Sequence, residues 1–150
     1  MSMISDPAIS GLTGLQMLRA LLRSGRQANI GATLQFSGVE FEEGFAAFEG
    51  IPGEHVYNPI GSVHGGYAAA LLDSACGCAV HSKLAAGQSY TTLELKVAYH
   101  KAMTKETGKV RAEGQVLSFG RRAAFAEAKL TDATGRLYAS ATSSLLVITP

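Results

Sequence analysis

An α+β fold, in which an antiparallel sheet covers one buried helix, is what the sequence predicts, and three observations carry the prediction. Residues 65–80 are nearly all Ala, Leu, Cys, Gly and Tyr, so a helix there has no polar face and must be buried on every side. Four strand-like segments follow it in succession, each bounded by turn residues. Two shorter strand-like segments precede it, and strands flanking a single apolar helix bury that helix best by wrapping it.

The elements follow in chain order. Residues 8–24 carry Ile9, Leu12, Leu15, Leu18, Leu21 and Leu22 at helical spacing, with Arg19 and Arg23 elsewhere on the cylinder and Gly25 as the stop, which predicts a covering helix. Residues 33–41 and 44–49 read as two short strands around the Glu42-Glu43-Gly44 turn, and residues 52–61 as a loop punctuated by Gly and Pro. The central helix spans about 65–84. Strands are expected over 90–99, 108–117, 122–130 and 136–147. Leu93, Leu95, Val97 and Tyr99 alternate with Glu94 and Lys96, as in a half-buried strand.

Composition narrows the class of function. A chain of 150 residues with 47% hydrophobic content suits one ordinary domain, and a net charge of +1 gives no general case for nucleic acid or a membrane surface. The balance differs locally. Between His100 and Arg136, eight basic residues (Lys101, Lys105, Lys109, Arg111, Arg121, Arg122, Lys129, Arg136) face four acids (Glu106, Glu113, Glu127, Asp132), an excess that suits an anionic small ligand. Cys76 and Cys78 sit two apart on the helix, on roughly opposite faces, and read as core residues of a reducing cytoplasm. The first ten residues lack a secretory leader pattern, and the longest apolar run falls short of a membrane span, so a cytoplasmic protein is expected. His64, Asp73, His55 and His100 do not form a compact ligand cluster, so no metal is expected.

Asp73 is the one charge in residues 65–80 of the central helix. Burying an unpaired carboxylate costs several kcal/mol, so an Asp there is paired, at a boundary, or working.

The pattern Asn58-Pro59, Gly61, Val63-His64-Gly65-Gly66 and Leu72-Asp73, then 92–99 (TLELKVAY), then Gly120-Arg121-Arg122, resembles the hotdog-fold acyl-CoA thioesterases. Within these it is most similar to the phenylacetic-acid-degradation (PaaI-type) group and relatives of 4-hydroxybenzoyl-CoA thioesterase. The resemblance covers about residues 43–148. It implies a helical extension over 1–30 and a single hotdog domain over 31–150, assembled as a homodimer of hotdogs or a tetramer of two such dimers. It also implies an acyl-CoA substrate, with no cofactor beyond the coenzyme A of that substrate.

The implied roles are open to physical argument. In hotdog thioesterases the position matching Gly65 donates its backbone N–H to the thioester oxygen as it becomes an oxyanion, and a helix start suits that task. Asp73 lies eight residues on, about 12 Å along the same helix. One carbonyl cannot touch both on one chain, so if both serve one reaction, as the resemblance implies, Asp73 comes from a second subunit across a two-fold axis, as nucleophile or general base; the alternative is an Asp paired with a neighbouring donor for structure. His64 could orient Asn58 or the nucleophilic water, or simply hydrogen-bond within its loop. Asn58 matches a position that helps hold the water or thioester, although Asn before Pro is also a turn signal. Thr92 matches a Ser or Thr that hydrogen-bonds the nucleophilic water, with Thr91 beside it leaving the register open. Gly66 and Tyr67 are expected at the substrate, Tyr67 lining the acyl pocket with Leu71 and Phe119, or else lying in the core. Gly120, Arg121 and Arg122 make a candidate clamp for the phosphates of coenzyme A, or a solvated hairpin tip. Lys101 stands where many relatives carry Arg.

The function expected is hydrolysis of an aryl- or medium-chain acyl-CoA to free acid and CoA. The alternatives are a noncatalytic acyl-CoA-binding hotdog module and, further off, an enoyl-CoA hydratase.

Overall fold

The computed structural model describes residues 9–150. Thr13 caps the first helix: its hydroxyl accepts from the Gln16 N–H at 3.4 Å, and the Gln16 side chain accepts from the Thr13 N–H at 3.0 Å. This reciprocal pair satisfies two backbone donors and starts α1 at Gly14, from where it runs to Ser24. The expected start at residue 8 is therefore corrected, since residues 9–11 form a turn closed by Gly11 at φ 81°, and Ala8 lies outside the described residues. Gly25, at φ 66°, ends α1 as the sequence predicts.

Residues 33–35, read as the start of a strand, close a short helix, α2 (Asn29–Leu34). The Thr33 hydroxyl donates to the Asn29 carbonyl at 3.0 Å and Gln35 takes a left-handed φ of 59°, so strand β1 begins only at Phe36. Local side-chain-to-backbone bonding here outweighs β propensity.

The strands are β1 (Phe36–Glu42), β2 (Phe45–Gly50), β3 (Ser89–Tyr99), β4 (Val110–Phe119), β5 (Ala123–Asp132) and β6 (Leu137–Ile148), with helix α3 (Gly65–His81) between β2 and β3. They form one antiparallel sheet in the order β1-β2-β4-β5-β6-β3, so β3 is carried to an outer edge. α3 packs on all six strands, which is why it needs no polar face. Leu71, Leu72, Val80, Val110, Leu130 and Leu145 are fully buried between them. β4 crosses so close that a Cβ on Gly114 would stand 2.3 Å from the Ala75 carbonyl oxygen, and only glycine fits. Leu18 of α1 joins the same core. A sheet wrapped around one helix is the hotdog architecture that the resemblance implies.

α3 ends at His81 rather than at residue 84. The Ser82 hydroxyl donates to Ala79 O at 2.6 Å and accepts from the Gly44 N–H at 2.7 Å, which turns the chain toward the β1–β2 hairpin. No helix among the described residues is long and apolar enough to cross a membrane.

Candidate active site

Two polar centres lie on α3, one at its first turn and one in its middle. At the first turn His64 is the N-cap: its Nδ1 accepts from the Gly66 N–H at 2.8 Å, and its carbonyl accepts from the Tyr67 N–H at 3.0 Å. The Tyr99 hydroxyl donates to the Gly65 carbonyl at 2.8 Å. The Gly65–Gly66 peptide is therefore held at its oxygen by Tyr99 and at its hydrogen by His64. The Gly65 N–H has no acceptor among the described residues, while its two successors are taken. A single exposed donor on a clamped turn, at the positive end of a 17-residue helix, is suited to a developing negative charge. A Cβ at Gly65 would sit 3.0 Å from the Tyr99 ring, so glycine also lets β3 close on this turn.

Asn58 does not meet His64. Its Oδ1 accepts from the Ile60 and Ser62 N–H groups at 3.1 and 3.2 Å, and its Nδ2 donates to Ser62 Oγ at 3.0 Å. That side chain shapes the loop leading into α3, the turn reading of the two offered by the sequence. Gly66 likewise spends its N–H on the cap rather than facing outward.

The second centre is Asp73, half-buried one face round the helix from the core. Its Oδ1 accepts from the Thr92 hydroxyl at 3.1 Å, and its Oδ2 makes no hydrogen bond among the described residues. This settles the register: Thr92, and not the exposed Thr91, faces the carboxylate. A β-bulge makes this compatible with Tyr99. Thr92 and Tyr99 are an odd number of residues apart, so a regular strand would point them to opposite faces. Leu93 is the extra residue in the β3–β6 pairing, which passes from Thr92↔Leu145 directly to Glu94↔Ser144. The bulge shifts the alternation by one and turns both Thr92 and Tyr99 toward α3. Leu93 itself is left 63% exposed, against the regular alternation expected of this strand.

Asp73 opens onto a cavity of about 190 Å³, bounded also by Tyr90, Cys78, Phe36, Phe48 and α2. Burial, with the Asp73 carboxylate adding to it, pushes the Cys76 and Cys78 thiols up to about 12, so both stay protonated and weakly nucleophilic. Asp73 and the Gly65 N–H remain eight residues apart on one rigid helix, about 12 Å, and so cannot grip one carbonyl.

Tyr67 does not line a pocket. It is 2% exposed, its hydroxyl has no partner among the described residues, and burial pushes its pKa up to about 12. Leu71 is wholly core, and Phe119 lies half-buried near the Lys83 ammonium. Gly120, Arg121 and Arg122 form the exposed β4–β5 hairpin tip, closed by the Gly120 N–H donating to Ala123 O at 2.8 Å. Ala124 pairs with Leu145, and Leu145 with Thr92, so that tip stands at the Asp73 end of the sheet. At the other end, Val63, Gly65, Ala68, Tyr99, His100 and Lys101 border an open hollow of about 350 Å³. Tyr99, the Leu93 bulge and the cavity wall from α1 and α2 were not signalled as site features by the sequence, because each depends on which elements meet. Among the described residues, no three His, Cys, Asp or Glu side chains converge as a metal-binding group.

Known proteins share this architecture. The model of the thioesterase superfamily matches residues 60–139, just over half of the chain. A thioesterase family protein from Silicibacter pomeroyi superposes with a TM-score of 0.79 at 23% identity, covering 91% of this chain and 99% of its own. The PaaI protein from the phenylacetic acid degradation operon of Escherichia coli gives 0.78 at 18% identity, over 92% and 95%. A conserved protein from Pseudomonas aeruginosa gives 0.77 at 26% identity, over 84% and 98%. No curated protein matches the chain by sequence.

Proposed function

The chain belongs to the thioesterase superfamily and is a hydrolase of thioesters, and from that premise we propose that its substrate is an aryl- or medium-chain acyl-CoA, cleaved at sites shared between two protomers. The observation that carries this reading is the pairing of opposites on α3: among the described residues, one backbone N–H is without an acceptor and one carboxylate oxygen without a donor, about 12 Å apart. A second protomer brings them together. β3 is an edge strand of 11 residues whose outer backbone is unpaired among the described residues. Pairing it with the β3 of a second copy extends the sheet and lays the two α3 helices side by side, so that each Gly65 faces Asp73 of the partner subunit. Two such dimers would make the tetramer.

In that site the thioester oxygen accepts from the Gly65 N–H and the carbonyl carbon faces the carboxylate. Either Oδ2 of Asp73 attacks the carbon directly, or it takes a proton from a water that attacks. Both routes place negative charge on the oxygen at Gly65, then break the C–S bond and release the CoA thiolate, which is protonated to the thiol. The direct route leaves an acyl-aspartyl anhydride that water hydrolyses. Thr92 holds Oδ1 and leaves Oδ2 to react. The phosphates of coenzyme A suit the basic groups at the two ends of the sheet, Arg121 and Arg122 at one and Lys101 at the other. A reducing cytoplasm suits two thiols left unpaired.

The test follows free thiol release from an acyl-CoA panel. Asp73→Asn should lose roughly 10³-fold in kcat, the scale of removing an essential base or nucleophile. Mixing Asp73→Asn with Gly65→Pro protomers should restore about a quarter of wild-type activity, because half the dimers are mixed and each mixed dimer rebuilds one of two sites. No recovery, from a mixture shown to exchange subunits, would overturn the site shared between Gly65 of one protomer and Asp73 of the other. Saturable acyl-CoA binding without turnover would instead favour the noncatalytic module.

A further inference from the structure

The cavity beside Asp73 continues into a larger one, of about 440 Å³, beneath α1. The two share Gln27, Ala28, Ser37, Gly38, Phe48 and Cys78, so they form one trough that begins at the carboxylate and runs away from it. Leu18, Leu21 and Leu22 of α1 bound its far part, spaced so that one helical face covers it, and Phe41 and Phe48 lie across from them. The larger part lies within the ~300–1,000 Å³ range of small-molecule sites. Among the described residues, Asp73 is the one acidic side chain along its length, and it stands at the end where the reaction would occur.

We propose that this trough holds the acyl chain, and that α1 and α2 set its length. The inference rests on the acyl-CoA reading above and deepens it: the favoured substrates carry an unbranched apolar acyl group longer than butyryl. With the carbonyl at Asp73, the first methylenes pass Cys78 and Ala28, and the terminal ones lie beneath Leu21 and Leu22. All of α1 and α2 lies outside the span matched by the superfamily, 60–139, so selectivity is built by a segment separate from the catalytic one. Each buried methylene should raise kcat/KM by up to about fourfold.

The experiment measures kcat/KM for butyryl-, octanoyl-, dodecanoyl- and phenylacetyl-CoA. Wild type should prefer the longer straight chains. Leu22→Arg, at a rim position 40% exposed, should lower dodecanoyl-CoA turnover about tenfold or more and leave butyryl-CoA within about twofold. Ala28→Phe, in the stretch common to both cavities, should depress octanoyl- and dodecanoyl-CoA alike. Leu21→Ala, which lengthens the trough, should move the optimum to longer chains, a gain that a misfolded protein cannot produce. A wild-type profile flat with chain length, a preference for phenylacetyl-CoA, or equal proportional losses on all substrates would overturn the trough while leaving thioester hydrolysis standing. Failure of wild type to cleave any of the four would instead remove the acyl-CoA reading on which the trough rests.

Discussion

The first turn of α3 and its middle solve opposite problems. At the turn, backbone groups are abundant and nearly all are satisfied: His64 takes the Gly66 N–H, the His64 carbonyl takes that of Tyr67, and Tyr99 binds the Gly65 carbonyl. Among the described residues, one N–H is left over. In the middle, polar groups are scarce, and a single carboxylate with one hydrogen bond stands among residues that are mostly buried and apolar. The difference teaches where reactive groups originate. A helix start supplies a spare donor whatever its side chains, and the fold need only leave it uncovered, whereas a carboxylate in an apolar helix has to be written into the sequence. β3 serves both, with Thr92 at one centre and Tyr99 at the other, through the bulge at Leu93.

The sharpest way to break the comparison removes the spare donor, with Gly65→Ala as the control for the Cβ that either variant brings against the Tyr99 ring. Gly65→Pro deletes that N–H at the one helical position where proline is favoured, and His64 already has the extended backbone, φ −61° and ψ 136°, that a following proline requires. We expect kcat for thiol release to fall roughly 10²–10³-fold, with near-native circular dichroism. If kcat is unchanged, the oxyanion donor lies elsewhere.

At the other centre, Thr92→Val should lower kcat about tenfold by freeing Oδ1 of its hydroxyl partner, a loss of the order of one hydrogen bond to a charged group. Thr91→Val, one residue away on the outer face, is the control and should match wild type. Deleting Leu93 removes the bulge, and it should bring the loss of Thr92→Val on its own by turning Thr92 away from Asp73. Equal effects at 91 and 92 would contradict the bulge argument.

A smaller effect is expected where β3 supports the turn rather than touching the substrate. Tyr99→Phe keeps the ring beside Gly65 but loses the bond to its carbonyl, and should reduce kcat several-fold with little change in KM. A shift in KM alone would make Tyr99 a binding residue.

The last contrast lies at the far end of α3 and concerns stability alone. His81 is packed edge-on against Tyr90, its Nε2 is buried without a partner among the described residues, and burial lowers its pKa. Between the folded pKa and the ordinary imidazole value of about 6.5, the unfolded chain binds more protons than the folded one. Stability from this group is therefore fully present above pH ~6.5 and is lost as pH falls below it. Unfolding midpoints should drop on acidification through that window in wild type and change less in His81→Leu. Parallel pH curves would show that His81 does not contribute.

Much of the fold was legible from residues alone. The apolar stretch of α3, interrupted only by Asp73 and Ser74, demanded burial on every side, and the succession of four strand-like segments after it, the first clearly alternating, demanded an antiparallel sheet, since those patterns follow from where side chains point on a helix and a strand. What failed was local. Thr33 and Leu34, the last two residues of the helix over 29–34, fit either period and read as the start of a strand, and the choice fell to the Thr33 hydroxyl and the left-handed Gln35. Tyr67 looked available to a ligand by its neighbours in sequence, yet the helix turns it into the core beside Gly50.

The sequence by itself determined that one carboxylate would stand in a buried helix eight residues after a glycine-rich start, because charge and spacing belong to the chain. Only the tertiary structure decided which threonine faces it, which N–H remains unpaired, and that a trough under α1 opens onto it. Those depend on the bulge, the strand order and the packing of distant segments, and such contacts are settled when elements meet rather than by residues that are neighbours in the chain.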